Sequence, residues 1–239
     1  MEDSSHYFLH MTQEEYEKLI VYATNHGIKL TLVLPIFTEK SLTKAKRRIE
    51  SLCRYFSTII DEVTVNDYGM LNYIHSAYSV KINLGRLFMK DYRDPRYDEY
   101  FSGPFKPRGF TSFLKEIVNT YKIHMIEFDP THESIDFSEK PEKVLIGLHS
   151  PYCYMTTGQI CEYSSVNKEI EQKFRPNTEC TLECVSHHIE YELEEMNGER
   201  KFIRFGRTIY FENNNCKVTG LTSMRVIYFP LDREAARYG

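Results

Sequence analysis

The sequence predicts an α/β protein in which parallel βα units are followed by a β-rich C-terminal region. Up to Leu148, short apolar segments rich in β-branched residues alternate with amphipathic helical segments. Such alternation is typical of parallel βαβ units. After Cys184 the pattern changes to alternating apolar and polar residues in HHIEYELEE, KFIRFGRTIYFEN and MRVIYFP, which predicts β-ribbons rather than further βα units.

The N-terminal segments show the first βα alternation. Residues 12–25 place apolar side chains at helical spacing, and Thr12 with Glu15 forms a capping-box pattern at their start. Residues 29–35 (KLTLVLP) predict a strand buried on both faces. Residues 41–60 predict a second amphipathic helix, and Cys53 near its apolar side is interpreted as a packing residue.

The next segments continue the alternation into a cysteine-rich region. The predicted strands lie at residues 62–66, 80–84, 122–128 and 143–148, and the predicted helices at 68–75 and 111–120. Residues 98–109 are rich in proline and glycine and predict a loop or lid. Because ligands gather where parallel strands end, the loops after these strands are the expected functional positions.

Length and composition favour a soluble cytoplasmic protein. With 239 residues, 41% of them hydrophobic, the chain can bury one substantial core, and we expect a βα domain over residues 1–184 with a β-rich extension over 185–239 packed on it. A net charge of -4 argues against general nucleic-acid binding. No apolar run approaches the roughly 20 residues of a membrane helix. The acidic start does not match a secretory signal, so a reducing compartment is expected.

Four cysteines are concentrated in one stretch and predict a metal centre. Cys153, Cys161, Cys180 and Cys184 are separated by seven, eighteen and three residues. Four thiolates suit tetrahedral zinc or an iron-sulfur cluster. Only the last two have the tight spacing of a zinc site, so the pattern favours iron-sulfur over zinc. The alternative is that these are buried, inert thiols.

Polar residues at predicted strand ends are the candidate binding and catalytic groups. Asn66 and Asp67 follow one strand and Arg86 follows the next, in a segment that also contains Arg93 and Arg96. Arginines bind carboxylates and phosphates through two parallel hydrogen bonds, although the neighbouring aspartates equally suit an ion-paired loop. A further strand delivers His149 into the cysteine region, either as a core histidine or as a partner of a metal centre.

Three blocks together resemble the family historically called collagenase-like peptidases, which includes UbiU, UbiV, RlhA and TrhP. They are VNDYGML at residues 65–71, LGRLFMKDYRDPRY at 84–97, and LHSPYCYMTTGQICEYSS at 148–165 followed by CTLEC at 180–184. The blocks and their order cover about half of the chain. The resemblance implies a TIM-barrel-like parallel βα barrel. Because the chain is shorter than many members of the family, both a complete and an incomplete barrel are considered.

The resemblance also implies a cofactor and an activity. It implies a [4Fe-4S] cluster on Cys153, Cys161 and Cys180, with Cys184 as the nearest fourth ligand and Cys216 or Cys53 as alternatives. It further implies oxygen-independent hydroxylation, prephenate as a carboxylated oxygen donor, and a heterodimer with a family relative as one arrangement.

Roles for the polar residues follow from combining the blocks with their positions. His149 and Asp67 are the candidate catalytic residues, and Asn66, Arg86, Arg93 and Arg96 the candidate substrate-binding residues. Two alternatives stay open. One is a non-catalytic iron-sulfur or zinc subunit that docks a catalytic relative. The other is a peptidase, for which the sequence offers neither a triad-like set nor a HExxH helix.

Overall fold

A computed structural model describes residues 5–89, 109–129, 135–158, 162–165, 168–173, 184, 189–191, 202–212 and 218–228. The chain divides into two compact units. The first contains residues up to 89, 111–127 and 141–146; the second contains 90–110, 128–140 and 147 onward. The predicted boundary at residue 184 stays a prediction.

Helices and strands alternate along the described chain. The helices are α1 (Ser5–His10), α2 (Gln13–Asn25), α3 (Glu39–Leu52), α4 (Tyr68–Ala77) and α5 (Ser112–Tyr121). The strands up to the cysteine region are β1 (Leu30–Leu34), β2 (Ile60–Val65), β3 (Lys81–Leu84), β4 (Met125–Phe128), β5 (Ile135–Asp136), β6 (Leu145–Ser150) and β7 (Tyr152–Thr157). The later strands are β8 (Ile189–Tyr191), β9 (Phe202–Phe205), β10 (Thr208–Glu212), β11 (Val218–Thr219) and β12 (Arg225–Tyr228).

A parallel sheet of six strands is built in the order β1-β2-β3-β4-β6-β12. Its registers pair Val33 with Thr64, Thr64 with Asn83, and Asn83 with Met125. The parallel arrangement confirms the predicted mixed α/β class and the βα order of the first part of the chain. The sheet is compatible with an incomplete parallel βα barrel.

The first unit follows the predicted hydrophobic periodicity closely. In α2 the Thr12 hydroxyl accepts the Glu15 N–H at 3.2 Å, and the Glu15 carboxylate accepts the Thr12 N–H at 2.6 Å, which confirms the capping box. In α3 the apolar face buries Ala45, Ile49 and Leu52 completely. Burial of these apolar faces stabilises the unit by roughly 25 cal/mol per Å² of apolar surface removed from water.

The second unit contains an antiparallel sheet of β7-β10-β9-β8 and the parallel pair of β5 and β11. The β9 and β10 strands form a hairpin whose turn contains Gly206 with a φ of 61°. This hairpin confirms the β-ribbon predicted for the segment KFIRFGRTIYFEN. Phe128 and Phe137 pack edge to face with ring centroids 4.9 Å apart, so aromatic contacts form part of the core of the unit.

Three predicted elements differ from the structure. The segment MRVIYFP contains β12, which pairs in parallel with β6 and so is not a β-ribbon. The strand predicted at residues 143–148 is observed at Leu145–Ser150, so His149 lies within it, and a further strand, β7, carries Cys153. The helix predicted to reach residue 60 ends at Leu52, where a short 3-10 turn separates it from β2.

The first strand is also less enclosed than predicted. Within β1 only Leu34 is fully buried, and Thr31 is exposed. Among the described strands β1 has a single neighbour, β2, so it forms one edge of the parallel sheet. Its side chains therefore lack the cover on both faces that a central parallel strand has.

Candidate functional site

Asn66 lies immediately after β2 and bridges three strands of the first unit. Its Nδ2 donates to the Leu34 carbonyl at the end of β1 at 3.1 Å, and its Oδ1 accepts the Leu87 N–H at 3.4 Å. The side chain is buried. Both ends of the Asn66 amide therefore form hydrogen bonds with backbone groups. These two bonds connect the loops at the carboxyl ends of β1 and β3.

Asp67 is the N-cap of α4. Its Oδ1 accepts the Met70 N–H at 2.8 Å, which satisfies one of the free donors of the first helical turn. The side chain is half-buried. The described contacts give this carboxylate a structural task, and its catalytic role stays a prediction.

Arg86 follows β3 and begins a short 3-10 turn that ends at Phe88. It is only 2% exposed, and arginine is almost never buried without partners. A buried guanidinium has a rigid fork of donors that matches a carboxylate. Arg93 and Arg96 lie outside the described residues.

A layer of buried polar side chains crosses the first unit, and the sequence reasoning missed it. The Thr64 hydroxyl donates to Glu127 Oε1 at 2.8 Å, and Asn83 Nδ2 donates to Glu62 Oε2 at 2.8 Å. Asn83 Nδ2 also lies 3.4 Å from Thr64 Oγ1, so the contacts join β2, β3 and β4. The available signal was the alternation of polar residues in EVTVN and KINL, because central parallel strands normally read as continuous apolar runs.

The polar layer reaches the surface at His124. Its Nε2 lies 3.4 Å from the buried Glu62 carboxylate, and its ring is half-buried. His124 also lines a cleft of about 1100 Å³ at the amino ends of β3 and β4, together with Tyr78 and Lys122. Burial and a hydroxyl contact with Tyr73 raise the pKa of Tyr78 above its ordinary range, so this phenol stays neutral. Ligands of βα folds bind at the opposite, carboxyl ends of the strands.

Three side chains in or next to strands of the second unit are buried. His149 is in β6 and is paired in register with Ile227 of β12. Cys153 is in β7, fully buried. Asp129, also fully buried, accepts the Tyr154 N–H at 2.9 Å through Oδ1. Asp129 was not singled out from the sequence, although it follows a predicted strand directly.

The cysteines that the structure describes are reduced. Cys153 packs against Phe202 and Phe211 in the antiparallel sheet, and neither it nor Cys184 nor Cys53 forms a disulfide. An apolar shell disfavours the charged thiolate, so the packing of Cys153 is that of an inert buried thiol, and a role as a metal ligand depends on the other cysteines. Cys161, Cys180 and Cys216 lie outside the described residues. Within the described ranges no group of three or more His, Cys, Asp or Glu side chains is arranged to hold a metal ion.

Comparison of the chain with family models, with curated proteins and with solved structures gives no match. The resemblance drawn from the sequence blocks therefore stays a prediction. In the part of the chain that the structure describes, none of the helices has the length and apolar character required to cross a membrane.

Proposed function

We propose that this chain is a [4Fe-4S]-dependent enzyme of oxygen-independent hydroxylation or of a related redox modification. The observation that carries the proposal is Cys153, a fully buried cysteine without a disulfide that lies in β7, three residues after the end of the parallel strand β6. Its position after the carboxyl end of a parallel strand is where βα folds bind their ligands. When bound by four cysteines, the cluster would transfer electrons, or would offer an iron site to an oxygen-bearing donor after release of one cysteine ligand.

The proposed ligand set is Cys153, Cys161, Cys180 and Cys184. The apolar side chains of Phe202 and Phe211 exclude water from one side of Cys153, so its thiolate is stabilised by the bound metal rather than by solvent. His149 precedes this cysteine on β6 and is buried. In the proposal its imidazole donates a hydrogen bond that orients the bound centre or the substrate.

Arg86 is proposed to bind a carboxylate of the substrate or of the donor. Its burial removes water that would compete for the guanidinium, so an ion pair with a bound carboxylate is strengthened. Asn66 supports this position indirectly, because its Oδ1 accepts the N–H of the residue after Arg86. Arg93 and Arg96 are proposed as further carboxylate ligands.

Binding of prephenate tests the carboxylate-binding part of the proposal. Isothermal titration of the anaerobically purified protein should show binding, and Arg86→Lys should weaken it by roughly tenfold or more because a lysine cannot form the two-pronged contact. Arg54→Lys is the matched control, since Arg54 is exposed and pairs with Glu17 at 2.9 Å. Equal affinity in the wild type and Arg86→Lys would contradict the assigned role of Arg86.

A zinc-containing or iron-free protein would favour the alternative of a non-catalytic subunit. Zinc in stoichiometric amount would assign the same cysteines to a structural site. In that case prephenate binding would also be expected to be absent.

A further inference from the structure

The cleft at the amino ends of β3 and β4 carries basic side chains that the proposed chemistry does not use. Its volume of about 1100 Å³ is large enough for a small organic molecule. Among the described residues that line it, Glu142 is the only acidic one, whereas the basic ones are His75, Lys81, Lys122, His124 and Lys143. All of these residues belong to the first unit. The lining therefore favours an anionic ligand.

Two of the basic side chains have charged partners, and two lysines have none. Lys81 pairs with Asp61 at 2.7 Å, and His124 contacts the buried polar layer described above. Lys122 and Lys143 are both exposed, and within the described part of the chain neither forms an ion pair. The ammonium groups of these two lysines are therefore available to a ligand in the cleft.

Lys122 holds a backbone conformation that favours glycine. It is the C-cap of α5, with a φ of 52° and a ψ of 48°, and its N–H donates to the Val118 carbonyl. Glycine is the usual residue at such a left-handed helix end, because a Cβ atom makes this conformation less favourable. Ser57, which also lines the cleft, is the other non-glycine residue with a positive φ in the described chain, and its hydroxyl donates to the Ser79 carbonyl at 2.9 Å.

No comparable side-chain contact accounts for the conformation of Lys122 among the described residues. Backbone strain of this kind is concentrated at functional sites, where a side chain is needed at a position that its backbone does not favour. The strain therefore indicates that the ammonium group of Lys122 has a task in the cleft.

The chemistry of the lining favours a phosphate group over a carboxylate. Both α4 and α5 end at the cleft, so they present carbonyl groups rather than N–H groups, and an anion must be bound by side chains. Lysine binds phosphate as a point charge, whereas the planar fork that matches a carboxylate belongs to arginine, which is absent from the described lining. Burial raises the pKa of Tyr78, and its neutral phenol does not repel an anion.

We propose that this cleft binds a small phosphate-bearing molecule through the ammonium groups of Lys122 and Lys143. The cleft lies at the amino ends of the strands, whereas Asn66 and Arg86 lie at the carboxyl ends, so it is an accessory binding site and not a site of the proposed reaction. The proposal is independent of the cysteines and of any metal centre. The competing explanation is that the two lysines only compensate the negative ends of the helix dipoles.

Isothermal titration of the full chain with inorganic pyrophosphate at low ionic strength tests the proposal. The wild type should bind it saturably, and Lys122→Gly and Lys143→Ala should each weaken binding about fivefold, the upper range for an exposed ion pair. Lys122→Arg keeps the charge and should bind like the wild type. Lys44→Ala is the matched control, because Lys44 is exposed on α3 and does not line the cleft. Citrate should bind more weakly than pyrophosphate.

The stability of Lys122→Gly separates a binding role from a purely structural one. Glycine relieves the left-handed strain, so this variant should unfold at a higher urea concentration than the wild type although it binds pyrophosphate more weakly. A lysine that only stabilises the end of α5 predicts the reverse, a lower urea midpoint with unchanged binding. The proposal would be overturned by a wild type that does not bind pyrophosphate saturably, by equal affinities in the wild type and the two lysine variants, by a urea midpoint of Lys122→Gly at or below that of the wild type, or by tighter binding of citrate.

Discussion

Gly85 lies so close to Asn66 that a Cβ atom at position 85 would be 2.2 Å from Asn66 Oδ1. The close approach follows from two contacts. The Gly85 N–H donates to the Val65 carbonyl at 2.8 Å, and the Asn66 side chain folds over the glycine to reach the loop after β3. Glycine is therefore required at position 85 because the Asn66 side chain leaves no room for a Cβ atom. The φ angle of -73° does not itself require glycine.

Gly85→Ala should destabilise the protein, because the added methyl group displaces the Asn66 amide from its two backbone contacts. Overpacking of this kind costs roughly 1–3 kcal/mol. The free energy of unfolding, measured by urea denaturation, checks the prediction. A Gly85→Ala variant as stable as the wild type would contradict the close approach.

The double variant Gly85→Ala/Asn66→Ala tests whether the two residues are coupled. Removing the Asn66 amide removes the steric conflict, so the double variant should lose less stability than the sum of the two single variants. The expected interaction energy is about 0.5–3 kcal/mol, as for residues in direct contact. Strict additivity would show that the destabilisation arises elsewhere.

Thr64→Val should destabilise the protein by roughly 1–3 kcal/mol, because the nearly isosteric change removes the hydroxyl donor of the buried Glu127 carboxylate. Thr58→Val is the matched control: Thr58 is exposed, and its hydroxyl donates to the Tyr55 carbonyl at 2.8 Å, outside the layer. Its effect should stay within about 0.5 kcal/mol. Urea denaturation of both variants gives the comparison, and equal losses would contradict a special role of the buried layer.

Glu15 should make the stability of the N-terminal helix depend on pH. The backbone N–H and the hydroxyl of Thr12 lower the pKa of Glu15 below its ordinary value of 4.5. Because the pKa of Glu15 is lower in the folded state, its ionised carboxylate stabilises the protein when the pH is above the ordinary pKa. This contribution is lost as the pH falls through the folded-state pKa. The difference in unfolding free energy between the wild type and Glu15→Gln should therefore be present at about pH 7 and shrink towards about pH 3.

Glu14→Gln is the control for that titration, since Glu14 is exposed and pairs with Lys18 on the helix surface. A wild-type minus Glu15→Gln difference that stays constant across the acidic range would show that the capping-box carboxylate does not titrate with folding.

Cys153→Ala should reduce the bound iron of anaerobically purified protein, whereas Cys53→Ala should not. Both residues are reduced, but Cys153 lies in the fully buried cluster of the second unit and Cys53 lies half-buried in a 3-10 turn of the first. Metal analysis of the two variants at equal protein concentration checks the prediction. Iron retained in Cys153→Ala and lost in Cys53→Ala would contradict the proposed ligand set.

Much of the parallel sheet could be predicted because its strands and helices have distinct hydrophobic periods. The segment VKINL, for example, predicts β3 within one residue of its observed start, and the helix predicted over 111–120 is observed as α5. The pairing of β12 with β6 could not be predicted, because a short apolar segment such as RVIY fits a ribbon and a parallel strand equally well. Only long-range contacts decide between the two.

The residue types of the candidate site could be predicted from the sequence, but the contacts that these side chains make could not. Asn66 and Arg86 do follow the carboxyl ends of β2 and β3, as the predicted strands required. Sequence could not show that both ends of the Asn66 amide would be taken by the backbone, because those contacts come from strands distant in the chain. Asp129 was missed for the same reason, since its partner Tyr154 belongs to another sheet.

The iron and acid-labile sulfide content of the anaerobically purified protein tests the central claim most directly. The account predicts a brown protein with about four iron and four sulfide ions per chain and broad absorbance near roughly 400 nm, as thiolate-bound clusters show. A colourless protein without sulfide, whether it holds zinc or no metal, would contradict it.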